Sequence, residues 1–272
     1  TSLRLQFVVS LDPKNAEVSA LRASTALGRH HFKEAHIFAK EAVALDPNRA
    51  LFRGLLGDSE IELGHYDAAV ASFQKMIDIR PDFSSYSRTA YLRELYGDVP
   101  GAQAALRSAI SAGSKYPENV AWAYVELAKL DMRTSLNAAK KDLRDALATQ
   151  AEYPPALELL GKVAFFEGDM DTAEEYFQKA YKKLPIAQYA LDLGDLYAHR
   201  GEIAKAGQYF ALTEIAFSTS VTSGVNTDLE EALFLADHDL DLPNALRKAE
   251  RAYKERPSIY AADHLAWALF KN

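Results

Sequence analysis

The sequence predicts an all-α protein, a right-handed α-solenoid of stacked antiparallel helix hairpins. Two observations carry this prediction. Prolines follow similar helical segments at a constant step, with 34 residues from Pro13 to Pro47 and again from Pro47 to Pro81. Pro185 and Pro257 end later segments of the same kind. A fixed period in this range is typical of repeat architectures in which each unit is one supersecondary element.

The second unit, ALFRGLLGDSEIELGHYDAAVASFQKMIDIRP, shows why each residue type recurs. Gly57 and Ala69 are small where the two helices are expected to cross at close range. Phe73 fills the space one turn further on, and Gly64 relaxes the backbone at the turn. Pro81 cannot continue a helix and disfavours helical backbone at the residue before it.

The same residue types stand in phase in other units. The fifth unit has Gly161, Ala173 and Phe177, and the sixth has Gly194 and Phe210. On these residues the chain resembles the tetratricopeptide repeat (TPR) family over nearly its whole length, which implies a TPR superhelix. The late sequence RPSIYAADHLAWALFKN is similar to bacterial-type arrays of unknown specific function and suggests a bacterial or organellar source.

The repeats predict a single array over residues 1–272. The expected units are 15–48, 49–82, 83–118, 119–153, 154–186, 187–217 and 226–258, with partial units at 1–14 and 259–272. The stretch FSTSVTSGVNTD is rich in Ser, Thr and Gly, which predicts a long loop over 217–228. Because the terminal units are incomplete hairpins, we expect the array to continue beyond this chain, or helix 259–272 to be covered by another molecule, including a second copy.

Composition narrows the function classes. The chain has 31 basic and 38 acidic residues, a net charge of −7, which argues against a nucleic-acid binder with a basic stripe. A run of about 18 apolar residues, as a membrane span needs, is absent from the sequence. The lack of cysteine excludes disulfides and thiolate nucleophiles or ligands. The composition does not distinguish cytosol, periplasm and organelle as compartments.

The resemblance implies that a ligand binds on the inner face, which the first helix of each hairpin lines. The groove positions of the middle units are Tyr91, Glu94, Trp122, Lys129, Arg133, Glu158, Lys162, Phe166, Asp195 and His199. Those of the outer units are Ser24, Asp58, Glu62, Glu230, Phe234 and His238. The middle combines aromatic rings with three cations, which suits an extended peptide or a helix with acidic and apolar side chains. The alternative for Trp122 and Phe166, packing between neighbouring helices, is equally open.

Other residue clusters favour neither catalysis nor metal binding. His30, His31 and His36 lack the three- or four-residue spacing that would place a pair on one helix face. The acidic stretch ADHDLDLP lacks the glycine and the spacing of a calcium loop. We find no catalytic pair or triad. No two successive units supply the Lys/Asn/Lys/Arg clamp with which some TPR domains hold a C-terminal carboxylate.

The sequence therefore predicts a non-catalytic scaffold without cofactors. It would bind a peptide or helix of a protein partner in its groove, for complex assembly or localisation. The alternative is a regulatory or docking arm of a larger multidomain enzyme or transporter whose active part lies outside this chain. A catalytic domain in its own right has no supporting residues.

Overall fold

The computed structural model describes residues 15–113 and 115–272, and the predicted partial unit at 1–14 lies outside them. Within these residues the secondary structure is entirely helical, which confirms the all-α prediction. The helices are α1 Ala16–Leu27, α2 Phe32–Leu45, α3 Ala50–Glu62, α4 Tyr66–Ile79, α5 Phe83–Leu95, α6 Val99–Ser111, α7 Pro117–Asp131, α8 Leu136–Thr149, α9 Pro154–Phe166, α10 Met170–Lys183, α11 Ala187–His199, α12 Ile203–Thr222, α13 Asp228–Asp237, α14 Leu242–Glu255 and α15 Ile259–Lys271.

The helices pair in chain order as hairpins, and the chain divides into two compact units. Unit one contains α1–α4 and α13–α15, and unit two contains α5–α11 and α12 as far as residue 219. In both units each odd-numbered helix up to α13 is the first helix of a hairpin, and the next is the second. The stacked-hairpin class predicted from the repeats is therefore confirmed.

The predicted close crossing within the hairpins is present in both units. A Cβ atom built on Gly161 would lie 2.5 Å from the ring of Phe177, which is itself buried. Gly57 faces Phe73 and Gly194 faces Phe210 in the same way. Because no side chain fits in these gaps, the glycine and the phenylalanine together set how closely the helices of a hairpin approach.

Prolines follow α2, α4, α10 and α14, and the residue before each has extended backbone, as a clash with the proline ring requires. These residues, with φ between −152° and −137°, are Asp46, Arg80, Leu184 and Arg256. Pro117 and Pro154 occupy the first positions of α7 and α9 instead. They fall outside the period because proline, with its fixed φ and no N–H, also suits a helix start.

The long loop predicted between the sixth and seventh units is wrong in its first half. Helix α12 continues to Thr222, and Gly224 ends it with a φ of 84°. The amide of Val225 donates to the carbonyl of Ser220 at 3.0 Å, as in a Schellman motif. Serine and threonine do not exclude a helix here, because a hydroxyl such as that of Thr219 can donate to the carbonyl of the preceding turn.

The last helix, α15, coincides with the predicted partial unit at 259–272. It packs on α13 and α14 through the buried residues Ala261 and Ala268. Its outer side leaves Phe270 78% exposed, with the Trp267 ring stacked on it at 5.4 Å. An association through this helix stays a prediction.

Candidate peptide-binding groove

The first helices of successive hairpins in unit two contact one another. Glu94 at the end of α5 forms an ion pair with Arg133, just after α7. Helix α7 contacts α9. The Lys162 ammonium on α9 lies 3.4 Å from the Asp192 carboxylate on α11. Helices α5, α7, α9 and α11 therefore form one row, and the predicted groove positions are distributed along it.

The row contains a buried charge cluster at its α9–α11 contact. Glu158 and Asp192 are only 7% and 6% exposed, and both pair with Lys162. The Gln188 amide donates to Asp192 Oδ1 at 2.9 Å. The other oxygen, Asp192 Oδ2, is buried without a hydrogen-bond partner among the described residues. The cluster thus holds two carboxylates against one cation in a site with little solvent.

This environment changes the proton affinity of both kinds of group. Burial raises the pKa of Asp192 to about 7, and nearby Glu158 adds to the rise while Lys162 opposes it. For Lys162, burial alone would lower the pKa, but the carboxylates of Asp192 and Glu158 raise it above its ordinary value. Lys162 therefore stays charged, and Asp192 is the group of the cluster that gains a proton near neutral pH.

Each of the three predicted groove cations already has a carboxylate partner. Arg133 pairs with Glu94, and Lys129 Nζ lies 2.8 Å from Glu126 Oε1. Lys162 belongs to the buried cluster. An acidic partner would have to compete with these pairs, so the groove is less cationic than its lysine and arginine content indicates.

The two aromatic groove candidates differ. Trp122 is half-buried, packs against two core clusters and meets the Phe83 ring edge-on at 6.1 Å, so for this residue the packing alternative holds. Phe166 is 67% exposed at the end of α9. Its ring meets that of Phe165, which in turn lies 5.1 Å from the His199 ring on α11. Phe166 is thus the exposed tip of a short aromatic row.

The two remaining candidates lie on the same helices. Tyr91 is half-buried on α5, and Asp195 is exposed on α11, one turn beyond Asp192. Sequence reasoning missed Asp192 and Phe165. The available signal for Asp192 was its place between Leu191 and Leu193, where a carboxylate interrupts an apolar stretch.

The described parts of the chain contain neither a cluster of metal ligands nor a membrane-spanning helix. Across residues 15–113 and 115–272, no three His, Cys, Asp or Glu side chains come together as metal ligands would. Over the same ranges, every helix is too short or too polar to cross a bilayer.

Comparisons with known proteins identify the family to which these repeats belong. A family model described as "Tetratricopeptide repeat" matches residues 20–82, 134–185 and 159–220, together more than half of the chain. A curated relative from Fusarium oxysporum, the tetratricopeptide repeat and J domain-containing co-chaperone DNJ1, is 24% identical over 89% of this chain. The chain spans 45% of that protein's length.

Solved structures match in fold at low sequence identity. The Cut9–Hcn1 hetero-tetramer of APC/C gives a TM-score of 0.63 at 21% identity, covering 97% of this chain and 51% of that one. The human IFIT1 dimer with PPP-AAAA gives 0.63 at 18%, covering 98% and 66%. The type IV pilus biogenesis factor PilW gives 0.59 at 20%, covering 75% and 94%. With its repeated hairpins and the match of the family model, the chain belongs to the tetratricopeptide repeat family.

Proposed function

We propose that unit two binds a peptide or helix of a protein partner on the face formed by α5, α7, α9 and α11, as a scaffold for complex assembly or localisation. Protein–protein interaction is the general role that this fold supports. The observation that carries the proposal is the contact between successive first helices, from Glu94 with Arg133 to Lys162 with Asp192. A continuous face of this kind can contact a ligand along several turns.

The proposed main contact is apolar: Phe166 makes it, rather than the cations of the face. Phe166 projects most of its ring into solvent beside Phe165 and His199, and a few aromatic contacts commonly supply most of the affinity of an interface. The cations of the face, by contrast, are already neutralised by carboxylates. We therefore expect the partner to insert an apolar side chain next to Phe166, with polar contacts around it.

The buried charge cluster supports a non-catalytic role. A carboxyl group with a pKa near 7, such as that of Asp192, would be suited to proton transfer if a substrate could reach it. Asp192 Oδ2 is shielded from solvent, and the Lys162 ammonium lies 3.4 Å from Oδ1 of the same carboxylate. The cluster is better explained as a fixed contact between α9 and α11.

The test is partner capture with matched variants of unit two. Phe166→Ala removes the proposed main contact, whereas Tyr116→Ala removes an aromatic ring of similar exposure outside the groove positions. Lys129→Glu reverses a charge on α7, and Lys141→Glu reverses a similarly paired lysine on the second helix α8. We expect Phe166→Ala to lose a partner that Tyr116→Ala retains. Because Glu126 already neutralises Lys129, Lys129→Glu should weaken capture less than Phe166→Ala does, and Lys141→Glu should leave it unchanged.

Lys162 is a poor choice for this test. A carboxylate in its place would leave three acids in a buried site, and the resulting unfolding would imitate a binding defect. Equal capture by Phe166→Ala and Tyr116→Ala, with both proteins folded, would refute the groove assignment.

A second candidate function is that of a docking arm within a larger protein. It is favoured by the DNJ1 comparison, because that protein matches most of this chain but is more than twice as long. Sequencing the full transcript tests it directly. An adjoining catalytic or J domain would support the arm, and a transcript that encodes these repeats alone would count against it.

A further inference from the structure

In unit one, the last three helices contact the turn ends of the first two hairpins. The chain segment involved is residues 256–259, which links α14 to α15, together with the residues that precede α13. Its partners are the turn between α1 and α2 and the turn between α3 and α4. These contacts join parts of the chain about two hundred residues apart in sequence.

Arg256 is the centre of the contact. Its side chain is only 13% exposed, with Nη1 3.2 Å from Glu62 and Nη2 3.5 Å from Glu230. The guanidinium also lies 5.1 Å from the centre of the Phe32 ring, within the range of a cation–π interaction. Glu62 and Glu230 are predicted groove positions of the outer units, and here the chain's own arginine occupies them.

Backbone groups complete the contact. The amide of Asn226 donates to the carbonyl of Arg29 at 3.0 Å, and the amide of Ile259 donates to the Tyr66 hydroxyl at 2.7 Å. Gly64 lets the chain approach closely, since a Cβ atom there would lie 2.5 Å from the carbonyl oxygen of Pro257. The two sides therefore fit each other in shape as well as in charge.

A pocket that opens to solvent adjoins the contact. It has a volume of about 460 Å³, and Phe32, Ile37, Leu229 and Ala252 are among the residues that line it. Arg256 lines it as well, so water can reach the charged edge of the contact. Hydrogen bonds to water can therefore replace those of the contact when it opens.

We propose that the turn ends of the first two hairpins form a docking site for an extended, arginine-containing segment, which residues 256–259 of the same chain occupy as a releasable clasp. The site selects arginine because two carboxylates and an aromatic face converge on one guanidinium. The bound segment is extended at Ser258, where φ is −80° and ψ is 165°, and its Pro257 carbonyl lies against Gly64. The Tyr66 hydroxyl then accepts from the amide of Ile259, the first residue of α15. Release uncovers Phe32 together with Glu62 and makes the site available to a competing segment.

Cross-linking tests the clasp in the intact chain, which has no cysteine of its own. Cysteines replace Lys33 and Glu255, whose charged groups are 3.0 Å apart and half exposed, so their loss costs little. A short bis-maleimide then reports how often the two sides are together. We expect rapid cross-linking within one chain, slowed about tenfold or more by Arg256→Gln, which leaves Glu62 and Glu230 uncompensated.

Two controls separate the clasp from general destabilisation. Arg251→Gln removes the same charge from the same region, but Arg251 binds Asp228 within the α13–α14 hairpin. Gly64→Ala and Gly97→Ala both place alanine at a positive φ, and only Gly64 faces Pro257. Arg256→Gln and Gly64→Ala should slow cross-linking and their controls should not. Equal rates within each pair, or cross-links that form mainly between chains, would overturn the proposal.

Hydrogen exchange tests whether the clasp is releasable. The amides of Asn226 and Ile259 should exchange through a local opening, faster than the amides in the centre of α3. A peptide of residues 251–262 added in excess should speed their exchange further, and the same peptide with Gln at position 256 should not. Exchange only at the rate of global unfolding would show a permanent contact and refute release.

Discussion

Gly161 and Gly207 provide the sharpest test of how the hairpins are packed. Both are helical glycines of unit two, on α9 and α12. A methyl group on Gly161 would meet the buried ring of Phe177 at 2.5 Å, whereas a methyl group on Gly207 would meet no atom within 4 Å. The same substitution, glycine to alanine, should therefore change stability in opposite directions at the two positions.

The magnitudes follow from two opposing contributions. Replacing a helical glycine by alanine favours the helix by about 0.5–1 kcal/mol. At Gly207 this is the whole effect, so Gly207→Ala should stabilise by about that amount. At Gly161 the displaced Phe177 ring adds an overpacking cost of about 1–3 kcal/mol. Gly161→Ala should thus be destabilising, and Gly161→Leu more so.

The assay is urea unfolding followed by far-UV circular dichroism, with each variant compared with the parent chain. A double-mutant cycle isolates the contact, because Phe177→Leu creates space beside residue 161. Gly161→Ala should cost less in the Phe177→Leu background than in the parent. Strictly additive effects, or a stabilising Gly161→Ala, would refute the close crossing.

Three further predictions concern charge and burial. Burial raises the pKa of Asp192 in the folded state to about 7, so ionising Asp192 opposes folding. The free energy of unfolding should therefore rise as pH falls from about 7 to 4, by at most about 1.4 kcal/mol per pH unit. Thermal unfolding of Asp192→Asn should lack this gain. Burial opposes ionisation of Asp228 too, but hydrogen bonds from Arg251 and Lys248 hold its pKa below the usual range. This stabilisation is present at neutral pH and lost as pH falls below about 4, so an acid titration of Asp228→Asn should show a lower starting stability and a flatter acid limb. In urea unfolding, Trp122→Ala should destabilise the chain by about 2–4 kcal/mol, because Trp122 packs against the core, and Phe166→Ala by less than about 0.5 kcal/mol, because Phe166 is exposed. Equal destabilisation by the two variants would contradict this difference in burial.

Most of the fold could be predicted from local sequence patterns. The period of the prolines and the Gly161–Phe177 spacing reflect contacts within one hairpin, between residues that are close in sequence. The end of α12 was missed because composition alone does not distinguish a loop from a helix that Gly224 ends.

Sequence spacing predicted which helices carry the candidate groove residues, but not which side chains those residues contact. Helical spacing placed Glu94, Lys129 and Phe166 on first helices correctly. It did not reveal that the cations are paired or that Trp122 packs inward. Trp122 meets Phe83 and Arg133 pairs with Glu94, both from the preceding hairpin, which repeat spacing alone does not show. Lys129 pairs with Glu126 on its own helix, a three-residue spacing that the sequence already contained. The contact of Arg256 with Glu62 could not be predicted from single repeats, because it joins distant parts of the chain.

The most direct test of the central proposal is hydrogen exchange of the whole chain with and without a captured partner. If the face of unit two binds the partner, protection should increase along α9 and α11, around Phe166 and His199, with little change in the second helices α8 and α10. Protection confined to the second helices, or unchanged exchange throughout unit two in a saturated complex, would contradict it.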